Sequence, residues 1–291
     1  MKDHVIGIIG LGNMGQPISA NLAKCGYQVA AYDVDVTRLQ KVDNVTACTS
    51  LVALADQAHT ILLSLPDLTA VDRVIRQLHD ISKDHPIKII DTSTVGPNGC
   101  AEIVKNIAGH SIAYLDSPVS GGVKGAKAAT LSVMCAGDQG LYQESLPVLQ
   151  SFTAHQFYIG PKPGQAQVMK ILNNFLSATA LAASSEAVLY GLKHGLAIEQ
   201  MCDVINVSTG VNSATRDKFP QQIATEQFNA GFSNALMLKD IELYLSNCLE
   251  INTPVEVGRP IVNQWREFGD ADPGVDATRI FSFKQQKDSN S

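Results

Sequence analysis

The chain has 291 residues, of which 45% are hydrophobic and 17% charged, with a formal net charge of −6. That length suits two domains or one large one, and the composition is that of an ordinary globular protein. The acidic balance excludes a broad nucleic-acid-binding or anionic-membrane surface, though not a local basic pocket.

In chain order, residues 4–10 (HVIGIIG) form a short β-branched run ending in glycine, the pattern of a buried parallel strand. LGNMG follows, then helical periodicity over 16–24, then a second strand, 28–33 (QVAAYD), that ends on an acid. Further strands are expected at 60–65, 87–91, 113–116, 131–136 and 157–159, with a helix over 67–78. Apolar strands alternating with helices predict an α/β Rossmann-type doubly wound parallel sheet covered on both faces. After Pro161-Lys162-Pro163-Gly164 the alternation stops and the rest reads as helix: 165–194, 198–207, 213–226, 233–249 and 254–268. Gly195 is a natural stop for the long helix, and Pro254 and Pro260 suit the entry of the last one. The tail KQQKDSNS is expected to fray. The expected domains are 1–163 and an all-α 164–291.

Six cysteines (Cys25, Cys48, Cys100, Cys135, Cys202, Cys248) are scattered without a C-x-x-C or a histidine cluster. Buried free thiols in a reducing compartment are expected, and no metal site. No secretory leader is expected, because the N-terminus enters a strand almost at once, and no apolar run is read as long enough to span a bilayer. The expectation is a soluble, cytoplasmic protein with no membrane or nucleic-acid partner.

Gly10-Leu11-Gly12-Asn13-Met14-Gly15 is a G-x-G-x-x-G between a strand and a helix. Its first glycine allows a tight turn, its second lets a pyrophosphate approach the backbone, and its third lets helix and strand pack closely. The helix N-terminus offers N–H groups to the phosphates. Asp33 ends the next strand, where a ribose-binding acid belongs; a carboxylate there favours NAD over NADP, although Arg38 could offset its charge. Asp33 as a turn cap, and the glycines as a bare turn, are the bland alternatives. Leu65-Pro66 and Thr92-Ser93-Thr94 follow later strands, where ligands of open α/β sheets sit. Asp116-Ser117-Pro118-Val119-Ser120-Gly121-Gly122 ends a strand in a small-residue loop whose N–H groups suit a carboxylate.

The stretch with most chemistry is GQAQVMKILNN, residues 164–174. Lys170, Asn173 and Asn174 are three and four residues apart on one helical face. A lysine beside two carboxamides can bind and protonate a substrate oxygen, and a lysine in a partly desolvated cleft can exchange that proton near neutrality. A solvated helix face is the alternative reading of this triplet alone.

Together these stretches resemble the β-hydroxyacid dehydrogenases, relatives of 3-hydroxyisobutyrate dehydrogenase, tartronate semialdehyde reductase, L-threonate dehydrogenase and, more remotely, 6-phosphogluconate dehydrogenase. GLGNMGQPISANLAKCG, DTSTVGP, DSPVSGGVKGAKAATL and GQAQVMKILNN match in order, and LMLKD at 236–240 matches in the helical half. The resemblance implies a Rossmann domain followed by an all-helical substrate and dimerisation domain, joined by a long helix, with the site between them. It implies a catalytic Lys170, substrate-binding Ser120, Gly121, Gly122, Asn173 and Asn174, and cofactor contacts from Gly10 to Gly15, Asp33, Leu65, Pro66, Thr94 and Lys239, with Asp240 bracing the site. The implied activity is NAD-dependent interconversion of a small 3-hydroxy acid and its semialdehyde or keto acid. The implied partners are a small carboxylate-bearing substrate and copies of the chain in a homodimer or homotetramer, with LSATALAASSEAVLYGL as a possible contact.

Ala129 and Ala166 stand where the family often has glycine, read here as changes between small packing residues. The segments 208–212 and 232–236 are expected to set side-chain specificity. An aldehyde or imine reductase and a non-catalytic dinucleotide-binding module remain open; a Rossmann methyltransferase is disfavoured by the helical second half.

Overall fold

The computed structural model describes residues 5–42, 44–81 and 86–289. It divides into two compact units, Met1–Lys170 and Ile171–Ser291, and the division falls inside one continuous helix.

The first unit is built on strands β1 (Val5–Ile9), β2 (Gln28–Tyr32), β3 (Thr46–Ala47), β4 (Thr60–Leu63), β5 (Ile87–Asp91), β6 (Ile112–Asp116), β7 (Val119–Ser120), β8 (Leu131–Ala136) and β9 (Thr153–Gly160). Between them run α1 (Gly15–Lys24), α2 (Val36–Leu39), α3 (Leu51–Ala55), α4 (Leu68–Ile81), α5 (Gly96–Ile107), α6 (Gly122–Ala128) and α7 (Gln139–Leu149). The sheet order is β3-β2-β1-β4-β5-β6-β8-β7, with β9 paired to β8. His4, expected to open the first strand, lies outside the described residues.

Strand residues alternate between two cores, as a period of two requires. Ile6, Ile8, Leu62, Ile90 and Leu115 pack with Ile18, Leu22 and Leu149 on one face. Ile9, Ile61, Leu63, Ile87 and Ile89 pack with Leu54, Val71, Leu78 and Ile103 on the other. The sheet is thus a doubly wound Rossmann-type sheet, but its parallel pattern breaks after β6. β8 runs antiparallel to β6 and β7, and β9 returns parallel to β8. The connection Gly121–Thr130 between β7 and β8 is too short for a parallel crossover, which takes about a dozen residues or more.

α8 (Gln165–Lys193) opens in the first unit and continues into the second, followed by α9 (Ile198–Asn206), a π-type segment Ala214–Ile223, α10 (Asn234–Glu250), α11 (Gly258–Ala271) and α12 (Ile280–Ser289). Gly195 ends α8 with φ +81°. Pro254 lies before α11, whereas Pro260 sits within its first turn, where a missing N–H costs nothing. The expected fraying of the tail is corrected over Lys284–Ser289, which are helical in α12; Asn290 and Ser291 lie outside the described residues. The expectation that no apolar run is long enough to span a bilayer is also corrected: by length and composition α8 is. In the second unit its Phe175, Ala178, Leu181, Ala182 and Val188 pack in the core with Ile241, Val262, Trp265 and Phe268.

Candidate functional site

The glycine loop has the shape its sequence calls for. Gly10 has φ +93°, and a Cβ there would lie 2.3 Å from the Ser64 carbonyl oxygen; a Cβ on Gly15 would lie 1.9 Å from the Gly10 oxygen. These two glycines are locked by packing. Gly12 is open instead, with only an Arg38 nitrogen, at 3.8 Å, near its Cβ position. The N-terminus of α1 has no side-chain cap. A backbone that can be approached at Gly12, in front of uncapped helical N–H groups, fits a dinucleotide pyrophosphate.

Asp33 is buried beside this loop. Its Oδ2 accepts from Leu11 N at 2.6 Å and its Oδ1 from Asp35 N at 2.8 Å. It therefore braces the loop, the turn-cap role weighed above, while its place at the end of β2 is that of a ribose-binding acid. Arg38 stands 3.6 Å from Asp33 and 3.3 Å from Asp35. Leu65 is fixed by its N–H donating to Ser93 Oγ at 3.0 Å, which ties the Leu65-Pro66 turn to the Thr92-Ser93-Thr94 loop.

Ser120 pairs with Ser132 across β7 and β8, and Gly121 (φ +127°) and Gly122 (φ +64°) turn the chain into α6. Asn21 of α1 donates to Ala126 O of α6 at 2.7 Å, tying the helix behind the dinucleotide loop to the helix behind the small-residue loop.

Sequence reasoning missed a buried polar network at the carboxyl ends of β5 and β6. Gln167 Oε1 accepts from Val95 N and Gly96 N at 2.9 and 3.0 Å, and its Nε2 donates to Ser93 O at 3.1 Å and Asp116 Oδ1 at 2.7 Å. Asp116 Oδ2 accepts from Gly164 N and Gln167 N. Asp91, in register with Asp116, accepts from Tyr114 OH and Ser93 N. Burial pushes the Asp116 carboxyl up to about 6, against the pull of its Gln167 and Gly164 hydrogen bonds. Burial also raises Asp91. Gln167 lies three residues before Lys170, so this network anchors the turn of α8 that carries the lysine. The signal available in the sequence is Gln167 itself, inside the GQAQVMK motif and three residues before Lys170.

Lys170 is buried at 8% exposure and Asn174 at 6%, one turn apart on α8. Asn173 Nδ2 donates to Asn174 Oδ1 at 3.1 Å, and Asn174 Nδ2 donates to Asp240 Oδ2 at 2.5 Å. Lys239 Nζ stands 3.3 Å from Asp240 Oδ1. The structure thus brings Asn173, Asn174, Lys239 and Asp240 together in the second unit. In the first unit it brings the glycine loop, Asp33 and the Leu65 turn together.

The family description "NAD binding domain of 6-phosphogluconate dehydrogenase" matches residues 5–160, and "NAD-binding of NADP-dependent 3-hydroxyisobutyrate dehydrogenase" matches residues 164–281. The chain is 33% identical over 258 residues to a 2-(hydroxymethyl)glutarate dehydrogenase of Eubacterium barkeri, covering 87% of this chain and 85% of that one. It is 30% identical to the 3-hydroxyisobutyrate dehydrogenase of Pseudomonas aeruginosa, covering 97% of this chain and 99% of that one. Among solved structures, Mycobacterium tuberculosis 3-hydroxyisobutyrate dehydrogenase with L-serine superposes with a TM-score of 0.89 at 29% identity, covering 96% and 98% of the two chains. With an NAD-binding sheet, an open glycine loop and a buried lysine–asparagine turn in place, the chain belongs to the 3-hydroxyisobutyrate dehydrogenase family of 3-hydroxyacid dehydrogenases, NAD(P)-dependent oxidoreductases acting on CH–OH groups.

Proposed function

We propose that the protein interconverts a small 3-hydroxy acid (3-hydroxyisobutyrate-, glycerate- or threonate-like) and its semialdehyde or keto acid, with Lys170 as the general acid/base. The observation that carries this reading is the pair Lys170 and Asn174, both buried, one turn apart on an unbroken helix. Bound NAD supplies the acceptor for the hydride lost from the carbinol carbon. Neutral Lys170 takes the hydroxyl proton as the carbonyl forms, and as an ammonium returns it in the reduction. Asn174, held by Asn173 and Asp240, orients the substrate oxygen. Backbone N–H groups at Ser120, Gly121 and Gly122 take the carboxylate. Lys239 is assigned to the cofactor, beside the contacts from Gly10–Gly15, Asp33, Leu65, Pro66 and Thr94. NAD is preferred because the Asp33 carboxylate, at the end of β2, would repel a 2′-phosphate bound beside it.

The same reading makes the protein a cytoplasmic homodimer or homotetramer. Its cysteines are free thiols, five of them buried, which suits a reducing compartment. Leu176, Ala183, Ala187 and Tyr190 line up at helical spacing on the exposed side of α8, a stripe suited to a second copy of the chain.

The test follows nicotinamide absorbance with NAD and NADP against 3-hydroxy acids, aldonates, semialdehydes and a cyclic imine, for wild type and Lys170→Ala. The expected result is turnover of a carboxylate-bearing substrate with NAD, reduced roughly 100- to 10,000-fold in the variant while NAD still binds. Turnover of the imine alone would replace the hydroxy-acid reading, and full activity in Lys170→Ala would remove the lysine from the mechanism.

A further inference from the structure

One cation in the second unit has no role in the chemistry above. Lys218 lies on the π-type segment Ala214–Ile223, a helix form that often marks functional positions. It is partly buried, and its Nζ donates to Ser177 Oγ at 2.9 Å. Ser177 is three residues beyond Asn174 and four beyond Asn173, so it continues the same face of α8.

Among the described residues no carboxylate forms an ion pair with this ammonium. The nearby acids are otherwise engaged. Asp276 Oδ1 accepts from the N–H and hydroxyl of Thr278, and its Oδ2 accepts from Gly231 N. Asp217 is exposed to solvent. Burial pushes the Lys218 ammonium down from its ordinary value, and the more distant charges of Asp276 and Asp217 oppose that only in part. An ammonium has three donors, and one of them is used here. A desolvated cation without a counter-ion is costly, and an anion seated against it would recover that cost. Ser177 and Lys218 both keep partial exposure, so the pair can be reached.

We infer that Ser177 and Lys218 form a second anion subsite, which takes the distal carboxylate of a dicarboxylic 3-hydroxy acid. The inference rests on the proposed function, because it puts the hydroxyl end of that substrate at Lys170 and Asn174. Spacing supports it: Asn174 and Ser177 are about 4.5 Å apart along the helix axis. A two-carbon arm bearing a carboxylate adds roughly 4 Å of reach at about 1.5 Å per bond. A monocarboxylic substrate of the 3-hydroxyisobutyrate type leaves the subsite to water.

The experiment compares wild type, Lys218→Met and Lys218→Arg with two substrates, 2-(hydroxymethyl)glutarate and 3-hydroxyisobutyrate. Calorimetric titration of the NAD-loaded proteins with glutarate runs beside it. Methionine keeps the aliphatic stem and removes the charge; arginine keeps the charge. The expected result is that Lys218→Met lowers the ratio of kcat/KM for the dicarboxylate to that for the monocarboxylate roughly 10- to 100-fold, chiefly through KM. Glutarate affinity should fall in parallel, with partial recovery in Lys218→Arg. A lysine that only pins the π-type segment to α8 would depress both substrates alike, and an unchanged ratio overturns the inference. If wild type turns over neither substrate, the proposed function is judged separately, on the wider panel of hydroxy acids and aldonates above. The glutarate titration then decides the subsite: equal affinity in wild type and Lys218→Met removes it.

Discussion

At the scale of single residues, the most constrained group is Asp116. Every hydrogen bond it makes is one it accepts, from Gly164 N, Gln167 N and Gln167 Nε2, so its partners favour the carboxylate while burial favours the acid. Burial prevails, and the group titrates near 6 instead of 3.8. A carboxyl whose folded pKa is raised keeps its proton in the folded chain at a pH where the unfolded chain has released it. Its contribution is therefore full below 3.8 and is lost as pH rises through about 6, a change of about 3 kcal/mol. Asp91, also raised, adds to the same trend. Urea midpoints of wild type and Asp116→Asn across this window should show the wild type losing stability with rising pH and the variant following a flatter line. Parallel profiles would show that Asp116 is not the titrating group. The variant should also be less stable throughout, because one amide then faces another at Gln167 Nε2. Of this network only Gln167, inside GQAQVMK, is marked in the sequence: its partners include backbone groups at 95 and 96, Asp116 also takes the backbone N–H of Gly164, and backbone donors leave no mark in the residue types. Lys170 and Asn174 were legible, because a helix fixes the relation of residues four apart without any tertiary information.

At the scale of elements, Ala129 shows how the same residue reads differently once the backbone is known. As a sequence feature it is an alanine where the resemblance expects glycine, a change between small packing residues. In the structure it is the C-cap of α6, left-handed at φ +56° and ψ +34°. A left-handed alanine costs about 1–2 kcal/mol, and glycine's greater unfolded-state entropy takes back about 0.5–1 kcal/mol. Ala129→Gly should therefore raise stability by about 0.5–1 kcal/mol, read as a higher denaturant midpoint at unchanged slope; a lower midpoint would mean that the methyl group's packing matters more. The strands divide along similar lines. β1, β2, β4, β5 and β8 are central and apolar, and each was visible as a hydrophobic run. β9 was seen only at its Phe157–Ile159 core, because Ala154, His155, Phe157 and Ile159 face solvent and its apolar count is low. The antiparallel turn at β8 was not visible, since strand direction depends on the length of a connection whose helix, α6, is short and glycine-rich.

At the scale of the whole molecule, the question is whether the two units unfold together, and α8 supplies the argument. Its first turns are built into the first unit by Gln167 and by Ala166, which is packed against Met134 and Ala136. Its later turns form the core of the second with Phe175, Ala178 and Leu181. No cap or break separates the two parts, so melting either unit removes the support of half a continuous helix, and helix formation is cooperative along its length. Trp265, the sole tryptophan, makes this measurable: it is fully buried in the second unit, and its Nε1 donates to the α8 carbonyl of Ala178 at 3.4 Å. NAD is assigned to the first unit apart from one contact, Lys239 in the second, which the Lys239→Met variant removes. At a hundredfold excess over Kd it should stabilise the state that binds it by about 2.7 kcal/mol. If α8 couples the units, Trp265 fluorescence in that variant will report that shift in full, at the same denaturant concentration as far-ultraviolet circular dichroism, although the tryptophan lies in the other unit. A Trp265 transition that stays in place while the dichroism signal splits in two would show that the helix joins the units in space but not in free energy.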